Sequence, residues 1–108
     1  MPIADVPPVI TEGPANITYY MLLGSDKTFN CKATGVPTPS ITWFKDGVQV
    51  SDGERISVDA NGALSFKGVT KEENGVYKCR AENLATTVEN SATISVFCKT
   101  ISNSPLVM

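Results

Sequence analysis

Gly75-Val76-Tyr77-Lys78-Cys79 is the stretch that decides how this chain folds, because Cys31 and then Trp43 precede it. A cysteine far upstream, the chain's one tryptophan, and a second cysteine with a tyrosine two residues before it each have a mechanical use in a two-sheet sandwich. A cysteine from each sheet staples the sandwich through its middle. The indole packs flat on that bridge and fills the core. The tyrosine ring covers the core edge while its hydroxyl ties down a chain corner. Outside such a sandwich, the same residues are two unrelated buried thiols and a core tryptophan.

The surrounding residues extend the pattern. They are Cys31-Lys32-Ala33-Thr34-Gly35-Val36-Pro37-Thr38-Pro39, then Ile41-Thr42-Trp43-Phe44-Lys45-Asp46-Gly47, then Leu64-Ser65-Phe66, and finally Val69, Glu73, Gly75, Tyr77, Cys79, Ala81 and Asn83. On these residues the chain resembles the immunoglobulin superfamily, most closely its intermediate, or I-set, branch, over residues 8–97. The resemblance implies an all-β, antiparallel, immunoglobulin-like β-sandwich with Greek-key connections. It also implies a Cys31–Cys79 disulfide packed against Trp43 and Tyr77. The family usually has Asp where Glu73 stands, paired with a basic residue like Arg55, so an Arg55–Glu73 ion pair is expected with one extra methylene of slack. It usually has Val where Lys27 stands, so Lys27 is expected to snorkel along the rim.

The length fits one domain, with residues 1–7 as an extension or linker, 8–97 as the folded unit and 98–108 as a tail. In so small a domain a staple matters: closing a loop of about 48 residues is worth roughly 4 kcal/mol in the chain-entropy account. A net charge of −2 without any basic stripe argues against nucleic acid as a partner. No apolar run reaches membrane-spanning length. The start, Met1-Pro2-Ile3-Ala4-Asp5, lacks the basic and apolar regions of a secretory signal. If the natural protein is secreted, the chain is an excised piece, and because proteins that carry such domains usually carry several, a longer, multidomain parent is expected.

Hydrophobic periodicity is close to two almost throughout. Strands are predicted at 7–11, 16–20, 27–33, 40–45, 48–50, 55–58, 63–67, 76–82 and 91–97. One sheet should hold 7–11, 27–33, 63–67 and 55–58; the other should hold 16–20, 91–97, 76–82, 40–45 and 48–50. The alternation places Phe29, Cys31 and Ala33 on one face, with Ile41, Trp43, Leu64 and Phe66 inward. Asp46-Gly47 and Asn61-Gly62 carry hairpin-turn chemistry, the second read as a type I′ turn. Lys71-Glu72-Glu73-Asn74 reads as a corner with one helical turn.

Little in the chain could carry catalysis. It has no histidine, which removes the commonest general base and zinc ligand. It has no phosphate loop, and its acids are scattered over turns. No catalytic, cofactor-binding or metal-binding residue is expected, and the enzyme class is excluded.

Three features remain. Asn16-Ile17-Thr18 is an N-glycosylation sequon, read either as a glycan site or as a chance tripeptide. The cysteine framework favours the glycan, since both need the secretory route. Tyr19-Tyr20-Met21-Leu22-Leu23 is an apolar run that one strand cannot hide completely. Tyr20, Met21, Leu22 and Leu23 are thus candidate interface residues, unless a bulge folds them under the sandwich. The face of the strands at 91–97, 76–82 and 40–45 is a second candidate contact. Cys98 is the odd thiol, either pairing outside the domain or free at its boundary.

The resulting expectation is a non-enzymatic extracellular or cell-surface module for protein recognition or adhesion. It would bind a protein partner or itself, and its parent would be an adhesion molecule, receptor ectodomain or matrix protein. The alternative is a mechanical module of a titin-type intracellular muscle protein, with its cysteines reduced.

Overall fold

The computed structural model describes residues 5–98. They form β1 (Val6–Glu12), β2 (Thr18–Leu22), β3 (Lys27–Phe29), β4 (Lys32–Val36), β5 (Ser40–Lys45), β6 (Val48–Gln49), β7 (Ile56–Val58), β8 (Leu64–Phe66), a 3-10 turn η1 (Lys71–Glu73), β9 (Gly75–Glu82) and β10 (Thr87–Phe97). One layer is the sheet β2-β10-β9-β5-β6. The other is made of β3-β8-β7 and β1-β4. Residues 27–36 feed both parts of that second layer: the segment breaks at Asn30-Cys31, its first half pairing with β8 and its second with β1. By side-chain alternation it is one strand, and by hydrogen bonding it is two.

The pairs are antiparallel except at one edge. There β10 runs parallel to β2, from Thr93 opposite Thr18 to Phe97 opposite Leu22. Parallel strands need a long crossover, and nearly the whole domain lies between these two. The second strand covers Thr18–Leu22 rather than 16–20, so the apolar run is mostly strand and not a connection. Strand β10 starts at Thr87 rather than 91, because Thr87 to Asn90 pair with Glu82 to Cys79 of β9. At its other end β10 outruns β9. There the Asn74 Oδ1 accepts the Val96 N–H (2.6 Å) and the Lys71 ammonium donates to the Val96 carbonyl (2.9 Å).

The two expected turns differ. Asp46 and Gly47 both have positive φ, 48° and 87°, as a type I′ hairpin turn requires. Asn61-Gly62 is not type I′, since Gly62 has φ 86° and Asn61 is not positive. Asp59 is the cause. Its Oδ1 accepts the backbone N–H of Asn61 (2.8 Å) and of Ala63 (3.0 Å), and the Gly62 N–H donates to the Asp59 carbonyl (3.1 Å). An acid that captures nearby backbone N–H groups favours a longer loop ending in a left-handed glycine. Where 71–74 was expected to turn, η1 forms behind a capping box: Thr70 Oγ1 accepts the Glu72 N–H, and the Glu73 carboxylate accepts the Thr70 N–H.

The core sits between the layers. Cys31 and Cys79 are bonded, with Cα atoms 6.6 Å apart, and join the two sheets. Trp43 lies opposite Cys79 in the β5–β9 ladder. It is buried, and its Nε1 donates to the Gly62 carbonyl (2.8 Å). Edge-to-face contacts run from Tyr19 to Phe29, Phe66 and Tyr77, with centroids 4.9, 5.8 and 5.2 Å apart. Leu64 and Phe66 are fully buried, and Met21, Val69, Ile94 and Val96 join them. Phe29 and Ile41, expected inside, are only half buried against this core. Phe29 stands at the sandwich rim, where the exposed Lys27 brings its ammonium 5.7 Å from the ring centre. Ile41 lines an open groove beside the Asp59–Gly62 turn.

Gly62 and Gly47 share a left-handed backbone but not their surroundings. A Cβ on Gly62 would lie 2.9 Å from Ile41 Cγ2 and 3.2 Å from the Cys31 carbonyl oxygen, whereas one on Gly47 meets nothing within 4 Å. Left-handed geometry costs either alanine about 1 kcal/mol or slightly more. Gly47→Ala is expected to lose about that much, and Gly62→Ala about 3 kcal/mol once overpacking is added. Denaturant titration checks this, and equal losses would contradict the close packing of Gly62 against Ile41 and the Cys31 carbonyl.

Candidate binding surfaces

Glu73 is the buried carboxylate among the described residues, at 6% exposure. Its Oε1 accepts the Thr70 N–H (2.7 Å), the Thr70 hydroxyl (3.0 Å) and the Arg55 Nε–H (2.9 Å). Arg55 thus lies within ion-pair distance of Glu73. It also reaches Glu72 through Nη2 at 2.6 Å, a partner that sequence reasoning missed although it adjoins Glu73. Burial alone would raise the Glu73 pKa. The hydrogen bonds from Thr70 and Arg55 outweigh it and hold the carboxyl below its usual value. The Tyr77 hydroxyl donates to the Glu73 carbonyl (2.8 Å), and burial, with Glu73 and Asp46 nearby, pushes the phenol above its usual range. This cluster locks the corner after β8. Glu73 Oε1 is engaged within the chain, and no histidine exists to work with the cluster.

The outer face of the five-stranded sheet follows from the inner one. In β9, Tyr77, Cys79 and Ala81 are buried, so Val76, Lys78, Arg80 and Glu82 face out. At one end of this face lies a charged cluster. The Arg80 guanidinium stacks 4.3 Å from the centre of the Phe44 ring. Arg80 Nε and Lys78 Nζ lie 2.8 and 3.4 Å from the two oxygens of Glu89. The hydrogen bond from Arg80 comes first among the causes that lower the Glu89 pKa; burial opposes it and Lys78 assists.

The other end is apolar. In β2, Tyr20 and Leu22 alternate with Met21. Tyr20 is 72% exposed, Leu22 39% and Phe97 43%, while Met21 is only 6% exposed. Leu22 sits opposite Phe97, and Tyr20 opposite Ser95. Leu23, 43% exposed, follows with its N–H donating to the Phe97 carbonyl (2.7 Å). Met21 as an interface residue is therefore corrected. Its pairing with Val96 turns it into the core, and the period of two then forces its neighbours out. Phe97 was missed as a surface residue. Its alternation with the inward Val96 and Ile94 is the signal that finds it.

Asn16 is exposed just before β2, with φ 57°. Its backbone N–H donates to the Ser91 carbonyl (2.8 Å), and its Oδ1 accepts the Ser91 hydroxyl (3.2 Å). Cys98 is an exposed free thiol next to Phe97; the rest of the expected tail lies outside the described residues. Among the described residues no three His, Cys, Asp or Glu side chains are grouped to hold a metal. No described helix is long and apolar enough to cross a membrane.

Comparison with known proteins agrees with this architecture. The Immunoglobulin I-set domain family matches residues 8–96. The vascular endothelial growth factor receptor kdr-like of Danio rerio is 42% identical over 72 residues, which is 67% of this chain and 6% of the receptor. The tandem Ig repeats of Dlar superpose with a TM-score of 0.74 at 33% identity, covering 85% of this chain and 49% of that one. A titin M10–obscurin-like 1 Ig complex gives 0.75 at 29% identity, covering 86% of this chain and 96% of the matched one. The chain spans 6% of the length of the curated relatives it matches first.

The lowered Glu73 pKa has a defined sign. A carboxyl whose folded value lies below its unfolded one, about 4.3, stabilises the fold fully above that pH. The contribution fades as pH falls through the folded value. Glu73→Gln should therefore be less stable than the parent at neutral pH, with the gap closing on acidification below about pH 4. Melting curves across pH check it, and a gap that stays constant would contradict the role of the ionised carboxylate.

Proposed function

Because the chain belongs to the immunoglobulin I-set family, we propose that it serves as a non-enzymatic extracellular module of a larger cell-surface or matrix protein. It recognises a protein partner, or a second copy of itself, through the apolar end of its five-stranded sheet. The carrying observation is the uncharged corner of Tyr20, Leu22, Leu23 and Phe97, exposed beside a buried Met21. Aromatic and aliphatic side chains clustered on an exposed face are what interface cores are made of. The Cys31–Cys79 bridge supports an oxidising compartment, and the growth factor receptor relatives support the same reading. Recognition by surface complementarity requires no bound cofactor.

A second reading has its own support. The superposition on a titin M10–obscurin-like 1 Ig complex favours an intracellular mechanical module whose cysteines stay reduced. The redox state of Cys31 and Cys79 in the native protein separates the two.

The interface is tested by pairing two kinds of substitution. Tyr20→Ser with Leu22→Ser should weaken association at least about tenfold while leaving the melting temperature nearly unchanged. Met21→Ser should instead cost about 2–4 kcal/mol of stability. Sedimentation and partner-binding assays read the first and thermal melts the second. Unchanged association in a stable Tyr20/Leu22 variant would remove this corner as the contact.

A further inference from the structure

We propose that Asn16 carries an N-linked glycan, and that this glycan covers the unpaired stretch of β10 next to it. The proposal rests on the extracellular reading above. Asn16-Ile17-Thr18 has the acceptor pattern, and Asn16 and Thr18 are both exposed. The Ser91 hydroxyl engages the amide oxygen of Asn16. Among the described residues no hydrogen bond holds its Nδ2, so the nitrogen that would be modified is free. In the transfer, Nδ2 forms the bond to the anomeric carbon of a lipid-linked oligosaccharide. The lipid pyrophosphate leaves with the electron pair of the broken C–O bond, and the amide proton passes to a base of the transferase.

The position has a use. Strand β10 pairs with β9 from Thr87 onward but meets β2 only from Thr93. Beside Thr87 to Asn90 the outer edge of the sheet has no strand among the described residues. Strand β1 passes nearby in the other layer, paired with β4 and not with β10. Between β1 and β10 lies a groove of about 270 Å³ lined by Pro8, Val9, Ile10, Val88 and Asn90. Val9 is 58% exposed. An open sheet edge beside an apolar groove invites pairing with another chain. Asn16 is held to Ser91, which lies opposite the outward Lys78, so the first sugar would start on the outer face where the open edge ends. The apolar corner is spared: β2 climbs roughly 13 Å from Thr18 to Leu22 at about 3.3 Å per residue, so Asn16 and Leu22 lie toward opposite ends of that strand.

The test is expression of the full 108-residue chain behind a cleavable secretory signal in a glycosylating eukaryotic host. Intact mass is measured without reductant, before and after peptide-N-glycosidase. The parent and Thr18→Ser should carry the added mass, whereas Asn16→Gln and Thr18→Ala should not. In sedimentation, both unmodified variants should self-associate roughly tenfold more tightly than the parent, and adding Val9→Lys should reverse this. Because Thr18→Ala leaves Asn16 in place, it carries the test if Asn16→Gln folds poorly. A secreted chain with Cys31 and Cys79 bonded but no glycan would overturn the site and leave the extracellular reading standing. A retained chain, or one with those cysteines reduced, would overturn both. A glycan whose loss leaves association unchanged would overturn the covering role.

Discussion

The Cys31–Cys79 bridge against Trp43 is the constraint on which the other features depend. It joins the two layers at their centre and closes a loop whose entropy is worth roughly 4 kcal/mol, a large fraction of a small domain's stability. Trp43 fills the space beside it and donates to the Gly62 carbonyl, fixing the turn between β7 and β8. Two residues from Cys79, on the same face of β9, Tyr77 donates to the Glu73 carbonyl. That bond holds η1, and η1 presents Glu73 to Arg55. Core and corner are thus one connected set of contacts.

The surface is what this core leaves over. Once Tyr77, Cys79 and Ala81 face in, Val76, Lys78 and Arg80 must face out; once Met21 pairs with Val96, Tyr20, Leu22 and Phe97 must face out. The outer face therefore divides into a charged end, where Glu89 pairs with both Lys78 and Arg80, and an apolar end. Ion pairs already satisfied within the chain offer a partner little. Apolar area that no contact covers offers more.

The fold was legible because its marks are local: two cysteines, a tryptophan and a tyrosine at set offsets, and a period of two in most strands. What was not legible depended on partners distant in sequence. In five consecutive apolar residues nothing local says which alternate set goes inside; the register against β10 decided it for Met21. The Asn61-Gly62 signal was real, but Asp59 captured the neighbouring N–H groups and lengthened the loop. The first part of β10, Thr87-Val88-Glu89-Asn90, is too polar to announce a strand and forms one because β9 lies beside it. Phe29 and Ile41 have inward phase, yet the sandwich rim and an open groove leave them half exposed. Of the candidate surface, Tyr20, Leu22 and Leu23 were named from the sequence, whereas Phe97 was passed over although its alternation with Ile94 and Val96 in the expected strand marks it as outward.

The stability of the sandwich turns most directly on the bridge. Unfolding of the oxidised and the reduced chain in guanidinium, with Cys98 blocked and Trp43 fluorescence as the signal, measures what it contributes. The oxidised chain should be more stable by about 4 kcal/mol, with fluorescence changing in one cooperative step as the indole leaves the disulfide. Equal stabilities in the two redox states would contradict the account. They would mean that the sandwich holds itself together without the bridge, as an intracellular module must.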